Sequence, residues 1–494
     1  MSQATLSKSK FCHGLQCPKW LWLEVYHREL ADPVTPELQA RFDTGNRVGE
    51  LARQRYAGGV LIEDNPALHK EGVAQTAAAL AHGASILYEA AFTQDNVKIR
   101  ADVLERLDDG TFALREVKST GSFQVDKHLA DVAVQLHVLR AAGLDVSKAT
   151  LMHLNQDYVY TGGPYDLFAL FAETDVTQEA IEFASQAPSL IAGMMEVLAS
   201  DEAPEPPYHV DCKEPHGCAF RGYCHADDPD HPVTELPDCP VTSHLRRELD
   251  ERGILELNGL PDDIVDRLKK IQHLTWKATV EGMTIITPEA VESVASLDFP
   301  VHFLDFETVN PGLPLFVGTR PFQTVPTQFS DHVLHEDGTL THADFLADSR
   351  TDPSEELAKA LLDALGTKGT VAMYSTYERT VIRRLEAQFP ELAGALSAVE
   401  GRLFDLANPV KYGCFDPAFH GAYSLKKVVG VLAPDVPAYD DLAVSGGDMA
   451  MNAFAEMLDE ATPAERKAQI RADLLEYCRQ DTLAMVEIYR TLTA

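Results

Sequence analysis

The chain has 494 residues, 45% of them apolar and 24% charged, which supports a real hydrophobic core and excludes a mainly disordered chain, a collagen-like repeat or a small disulfide scaffold. Its formal charge is −34, from 42 Lys+Arg against 76 Asp+Glu, so net charge alone argues against a nucleic-acid binder, which is expected to carry a basic face. At roughly 150 residues per domain the length predicts two or three domains, and no stretch reaches the roughly 18 apolar residues of a membrane helix.

The opening MSQATLSKSKFCHG carries lysines with no apolar core behind them, so the sequence reads as cytoplasmic, without a secretory signal or a membrane partner. Charge is spread unevenly. Residues 1–60 and 368–427 each hold eight basic and six acidic side chains, which leaves local basic tracks inside an acidic chain.

Eight cysteines stand at 12, 17, 212, 218, 224, 239, 414 and 478. In a cytosolic chain such groupings are more often metal ligands than disulfides. Cys212, Cys218 and Cys224 are evenly spaced in DCKEPHGCAFRGYCH, behind the proline-rich DEAPEPPYH. Three thiolates on one irregular segment need a fourth ligand from elsewhere. Cys17 in GLQCPKWLW is the natural candidate and Cys12 the reserve. The pattern of one distant cysteine plus a trio favours a [4Fe–4S] cluster over zinc, whose sites usually draw on two close pairs. Cys239, Cys414 and Cys478 have no partner pattern and read as core thiols.

Between those cysteines, NVKIRADVLERLDDGTFALREVKST predicts two strands around a turn at Asp108-Asp109-Gly110. Asp102 lies on the first strand, and Glu116 and Lys118 share a face of the second. The following DKHLADVAVQLHVLRAAG has helical periodicity and carries Gln135. Two carboxylates able to hold Mg²⁺ or Mn²⁺, beside a lysine that orients or deprotonates water, are the minimum for metal-assisted phosphodiester hydrolysis.

In that order, these motifs resemble the RecB-like PD-(D/E)xK nucleases with an iron–sulfur staple, over about residues 6–226. The resemblance implies Asp102, Glu116 and Lys118 as catalytic core and Gln135 as the helix residue beside it. It also implies Cys17, Cys212, Cys218 and Cys224 as cluster ligands. Where the family often carries a histidine, TGNRVGELARQRY offers Glu50; Glu89 in ILYEAAF is a second helper candidate.

The stretch LRRELDERGILELNGLPDDIVDRLKKIQHLTWKATVEGM predicts short helices with a turn at Asn258-Gly259-Leu260-Pro261. A packed helical linker is the preferred reading over a helix-hairpin-helix whose turn amides cradle a phosphate.

Beyond it, FPVHFLDFET predicts a buried strand with Asp305 and Glu307 on one face and Phe306 on the other. NPGLP forces a turn. Strands VPTQFSDHVLH and TLTHADFLA follow around Asp337-Gly338, then a helix (PSEELAKALLDAL), a strand (TVAMYS) and a helix opened by Glu378. The last helix places Tyr477 and Asp481 four apart, on one face. Two carboxylates on an apolar strand are costly unless paired, and a pair of divalent ions would resolve that cost.

DFE, YSTYE and YCRQD resemble the motifs of the RNase H-like DEDDy 3′–5′ exonucleases, over about 299–490. The resemblance implies Asp305, Glu307, Glu378 and Asp481 as Mg²⁺ or Mn²⁺ ligands, with Tyr477 positioning the attacking water. Ser375 stands where asparagine is usual, and Asp405 in RLFDLANPVK competes with Glu378 as third acid. SLKK at 424–427 resembles a family segment too, which implies Lys426 and Lys427 facing backbone phosphates.

The whole order resembles a bacterial family of uncharacterised RecB-type nucleases. It gives a mixed α/β expectation of three parts: a PD-(D/E)xK domain at 1–235, a helical connector at 236–297 and an RNase H-like domain at 298–494. The expected function is two-site, metal-dependent hydrolysis of DNA single strands or ends. The alternatives are an RNA 3′–5′ exonuclease and a nucleic-acid-binding subunit of a repair or defence complex whose N-terminal site is idle.

Overall fold

The computed structural model describes residues 5–63, 65–122, 124–206, 211–240, 242–439 and 442–494. It is a mixed α/β protein with two mixed sheets, and it divides into two units: Met1–Asp227 with Pro311–Phe322, and Asp228–Asn310 with Gln323–Ala494. Among the described residues no helix is long and apolar enough to cross a membrane.

In the first unit the strands are β1 (Leu6–Ser7), β2 (Val60–Leu61), β3 (Ile86–Gln94), β4 (Val97–Arg106), β5 (Phe112–Lys118), β6 (Val146–Leu154) and β7 (Phe171–Asp175). They lie in the order β2-β3-β4-β5-β6-β7, with β1 parallel to β4. The predicted hairpin is β4–β5, antiparallel with Val103 opposite Arg115. Its turn is fixed by Gly110, whose φ of 88° suits glycine, and by Asp109 Oδ1 accepting from the Thr111 amide at 2.9 Å. The predicted helix is Val125–Ala141, the crossover between parallel β5 and β6. Its Val132, Leu136 and Leu139 join Leu104, Leu114 and Leu151 in the buried core, which fixes the helix against the hairpin.

The second unit holds β8 (Ile285–Ile286), β9 (Val301–Val309), β10 (Val325–Leu334), β11 (Leu340–Leu346), β12 (Thr370–Met373), β13 (Leu403–Asp405) and β14 (Cys414–Phe415). Its main sheet runs β11-β10-β9-β12-β13, antiparallel through β11, β10 and β9 and parallel through β9, β12 and β13; β8 and β14 pair separately. Alternation on the central strand β9 decides what each face meets. Leu304 and Phe306 pack with Phe329 against the helices Ser354–Leu365 and Tyr377–Gln388. Phe303, on the other face, meets Tyr489 of the helix Ala464–Thr493, ring centroids 5.7 Å apart. Asp305 and Glu307 share the Phe303 face.

The division departs from the expected boundaries. The break falls at Asp227 rather than 235, because Val233, Leu236, Cys239, Leu249, Leu257 and Ile264 form one buried cluster within the second unit. The Asn258–Pro261 turn spends its Gly259 and Leu260 amides on Glu256 and Leu257 carbonyls, at 3.1 and 3.3 Å, which favours the packed-linker reading over a phosphate cradle. Residues 311–322 belong to the first unit, where the Tyr165 hydroxyl donates to Pro314 O at 3.1 Å and the Tyr160 amide to Thr319 O at 2.9 Å.

Gly369 sets the entry to β12. Its φ is +80°, and a Cβ there would meet Pro300 O at 1.9 Å. Gly369→Ala is therefore expected to cost about 2 kcal/mol or more, from left-handed strain plus displacement of β12 from β9. Denaturant unfolding checks it; an unchanged midpoint would refute the assigned register.

Candidate active sites

Asp305, Glu307 and Asp481 each present a carboxylate oxygen within 4.8 Å of the others. β9 supplies the first two through its period of two. The third comes from the helix Ala464–Thr493, held by Leu474, whose carbonyl accepts from Gln328 Nε2 of β10 at 2.9 Å. Burial, then mutual repulsion, drives the acids upward: Asp305 well above the carboxylate range and Glu307 to about 8. Burial also lifts Asp481, but only to about 6, because the Tyr439 hydroxyl donates to its Oδ1 at 2.6 Å and Lys426 and Tyr477 offset the rest.

Tyr477 and Asp481 are buried rather than surface residues. Lys426 lies over the rings of both Tyr439 and Tyr477, 4.8 and 5.0 Å from their centroids, so the predicted phosphate-facing lysine is inside this site. Of Lys427 the structure gives only a backbone role, its amide donating to Ser424 O at 3.0 Å. Cys478, expected to be a plain core thiol, lies beneath the acids and donates to Asp305 Oδ2 at 3.5 Å.

Glu378 is buried at the start of its helix, outside the 4.8 Å trio but near enough to repel Asp305 and Glu307. Burial pushes it to about 7 even though the Ser375 hydroxyl donates to it at 2.9 Å. Ser375 thus supports the acid that follows it. Asp405 accepts from the Ala407 amide at 3.0 Å and Asn408 Nδ2 at 3.1 Å, and its charge still reaches Glu378.

The first unit brings together Asp102, Glu116, Lys118 and Gln135. Asp102 Oδ2 accepts from the Val117 amide at 2.7 Å, tying the acid on β4 to the backbone between Glu116 and Lys118. Gln135 Nε2 donates to Glu116 Oε2 at 2.6 Å, and Lys118 Nζ is 2.9 Å from Glu116 Oε1. Two participants are new. Asp131, one helical turn before Gln135, is 2.5 Å from Lys118 Nζ, and Lys8 Nζ is 2.5 Å from Glu116 Oε1. Asp131 could have been read from its i, i+4 relation to Gln135; Lys8, 108 residues from its partner, left no local signal.

Burial raises Asp102 to about 7, helped by Glu116 and opposed by Lys8. Burial also acts on Glu116 and Asp131, but the two lysines outweigh it and hold both acids low. Against the burial that opposes its charge, Glu116 and Asp131 hold Lys118 well above the usual lysine range. Lys118 donates to both acids, at 2.9 Å to Glu116 and 2.5 Å to Asp131.

These groups line a cavity of about 1080 Å³, which Arg41, Arg53, Glu50 and Glu89 also border. Glu50 pairs with Arg47 at 3.0 Å on the exposed side of its helix, whereas Glu89, at φ 54°, turns toward Arg53 at 3.6 Å.

Cys17, Cys212, Cys218 and Cys224 lie within electrostatic reach of one another. Burial, then neighbouring thiols, lifts Cys218 to about 11, while the Phe220 amide donates to its Sγ at 3.4 Å. Gln16 clasps the loop: its Nε2 donates to Asp211 O and His216 O at 2.9 and 2.8 Å. Cys12 stands apart from the trio and donates to Asp131 at 3.2 Å, so it joins the acidic site instead. Cys239 and Cys414 are buried, as expected of core thiols. No three of the four sulfurs lie within 4.8 Å of one another.

A family model described as "Domain of unknown function (DUF2779)" matches residues 302–424. The match includes Asp305, Glu307, Glu378 and Asp405 but stops short of Lys426, Tyr439, Tyr477 and Asp481. No curated protein matches the chain.

The raised acids give a pH prediction. A carboxyl whose folded pKa lies above its unfolded value binds more protons when folded, so stability falls as pH rises between the two values. Glu307 at about 8, Glu378 and Asp102 at about 7 and Asp481 at about 6 place that loss between about pH 4 and 8. The metal-free unfolding midpoint is expected to drop over that range, and saturating Mn²⁺ to raise it more at about pH 8 than at about pH 6. Thermal unfolding at fixed ionic strength measures both; a cation effect independent of pH would refute the account.

Proposed function

We propose that the chain is a metal-dependent nuclease with two sites, a 3′–5′ exonuclease in the second unit and a PD-(D/E)xK-type nuclease in the first, acting on DNA single strands or ends. The observation that carries this reading is the convergence of Asp305, Glu307 and Asp481 within 4.8 Å. Hard oxygen donors packed this closely suit Mg²⁺ or Mn²⁺. Asp305, Glu307 and Asp481 would hold the ions, with Glu378 beside them. Divalent ions supply a water nucleophile and stabilise both the attacking and the leaving oxygen of a phosphodiester.

The chain's own groups do the positioning. Tyr439 fixes one oxygen of Asp481, Tyr477 lies on the same helix face, and Lys426 above both rings offers a positive charge to a phosphate oxygen. Three antiparallel strands followed by parallel ones, with acids in the order Asp305, Glu307, Glu378 and Asp481, support an RNase H-like DEDDy fold.

For the first unit the support is the β4–β5 hairpin bearing Asp102, Glu116 and Lys118 and the helix bearing Gln135. Asp102 and Glu116 would hold an ion there, and Lys118 would donate to the scissile phosphate. The four thiols fit an iron–sulfur cluster better than zinc, because one tetrahedral zinc would draw the sulfurs to about 3.8 Å apart. An amide–sulfur hydrogen bond such as that of Phe220 is one of the features that tune such clusters.

The test is a time course on 5′-labelled single strands, DNA and RNA of one sequence, with Mg²⁺ or Mn²⁺. A DNA ladder shortening from the 3′ end supports the reading, and faster loss of the RNA would reassign the substrate. Intact strands of both kinds, after incubation with folded, cluster-loaded protein, would refute it.

A further inference from the structure

His231, Glu235 and His420 form a cluster in the second unit that neither proposed nuclease site uses. Glu235 ends the one-turn helix Val233–Glu235 and His231 lies two residues before it; the turn is pinned by the Val233 amide on Leu255 O and the Leu257 amide on His231 O, both at 2.9 Å. His420 follows the one-turn helix Pro417–Phe419, 185 residues from Glu235. The two turns touch at Gly421, where a Cβ would meet Glu235 Cα at 3.0 Å, so only glycine lets the backbones approach this closely. Buried Val233, Leu236 and Phe419 fix the turns from below.

That packing brings both imidazoles onto one carboxylate. His231 Nδ1 is 3.0 Å from Glu235 Oε2, and His420 Nδ1 is 3.0 Å from Glu235 Oε1. The two imidazoles stack at 15° with centroids 5.0 Å apart, and the Glu235 side chain is only 8% exposed. All three residues present ligand atoms within 4.8 Å of one another. Zinc bonds of roughly 2.0–2.2 Å to nitrogen and oxygen would set tetrahedral ligand atoms about 3.3 Å apart. The two 3.0 Å spacings, one to each oxygen of Glu235, need to open by only a few tenths of an ångström, and the ligand nitrogens of the two imidazoles already lie within 4.8 Å of each other.

We propose that His231, Glu235 and His420 are a metal site for a Zn²⁺-class ion, clamping the Val233–Glu235 turn to the Pro417–Gly421 turn. Two imidazoles and one carboxylate select a borderline ion over Mg²⁺ or Ca²⁺, which prefer oxygen. They leave a fourth position for water, and the clamp closes a loop of the chain in the folded state alone, so the ion stabilises by linkage.

The test equilibrates full-length protein with Zn²⁺, removes loose metal with a weak chelator and counts bound zinc in wild type, His420→Ala and Glu235→Gln. Unfolding midpoints are read with and without Zn²⁺. Zinc taken up by the thiols is common to all three proteins and cancels in the comparison. Each variant is expected to hold one ion fewer per chain and to lose the part of the zinc-dependent midpoint rise that wild type shows. Cobalt substitution should give the visible bands of a nitrogen–oxygen site in wild type only. Glu235→Gln keeps the side chain's shape, and so it decides the matter if His420→Ala fails to fold. Equal zinc content and equal midpoint shifts in wild type and Glu235→Gln would reduce the cluster to a hydrogen-bonded latch and overturn the proposal.

Discussion

Replacing Asp305 with asparagine is expected to lower metal-dependent 3′ trimming by about a thousandfold or more, the scale of losing about 4 kcal/mol of transition-state stabilisation. Asp305 belongs to the carboxylate trio, with Glu307 on its own strand and Asp481 on the last helix. Asparagine keeps the shape but presents a neutral oxygen, so an ion held between the three acids loses one of its charged ligands. The same change removes like-charge repulsion. Asp305 is held well above the carboxylate range by burial and by Asp481, Glu307 and Glu378, so ionising it opposes folding of the metal-free protein. The variant should therefore unfold at a higher temperature than wild type at about pH 8 without divalent ions, while losing activity. Side chains supporting a fold without binding ions would show the opposite pairing.

The second large effect is at Lys118. Lys118→Met is expected to reduce the cleavage attributable to the first unit by about a hundredfold or more, the usual range for a lost proton donor, while leaving 3′ trimming unchanged. The variant should also be less stable. Lys118 is shared between Glu116 at 2.9 Å and Asp131 at 2.5 Å, and removing one partner of such a buried group costs about 3–5 kcal/mol. Lys8 still covers Glu116, which leaves Asp131 as the exposed cost. Asp131→Asn with Lys118→Met should be less destabilised than the sum of the single changes, because the second change removes the carboxylate that the first leaves without its lysine.

Local periodicity made much of this legible. Alternation on β9 placed Asp305 and Glu307 opposite Phe306, and a four-residue step placed Tyr477 with Asp481. A two-residue step placed Glu116 with Lys118. Each is a statement about one element, where backbone geometry fixes which side chains share a face. What escaped depended on chain closure. Lys8 reaches Glu116 only because β1 lies parallel to β4, and Tyr439 reaches Asp481 across a separation of 42 positions in sequence.

Cys478 read as core because burial is the usual state of a free thiol, yet it lies against Asp305. The division into units depends on packing of the same long-range kind. Apolar residues from 233 to 264 look like any helical linker in sequence, and only their joint burial assigns them to the second unit. His231 and His420 had no reason to be paired until Gly421 was seen to admit the Glu235 backbone. Asp405 and Glu378 could not be separated as third acid by sequence; in the structure Asp405 accepts from the Ala407 amide and Asn408 Nδ2, whereas Glu378 lies near enough to repel Asp305.

The most direct measurement is one crossed time course: wild type, Asp305→Asn and Lys118→Met, each reconstituted with iron and sulfide and supplied with Mn²⁺, on a 5′-labelled single strand and on the same strand with both ends blocked. The two-site account predicts that Asp305→Asn loses the 3′ ladder but keeps wild-type action on any substrate cut by the first unit. Lys118→Met should keep the ladder and lose that other cleavage. Equal loss of every product from both variants, or an undiminished ladder from Asp305→Asn, would contradict it.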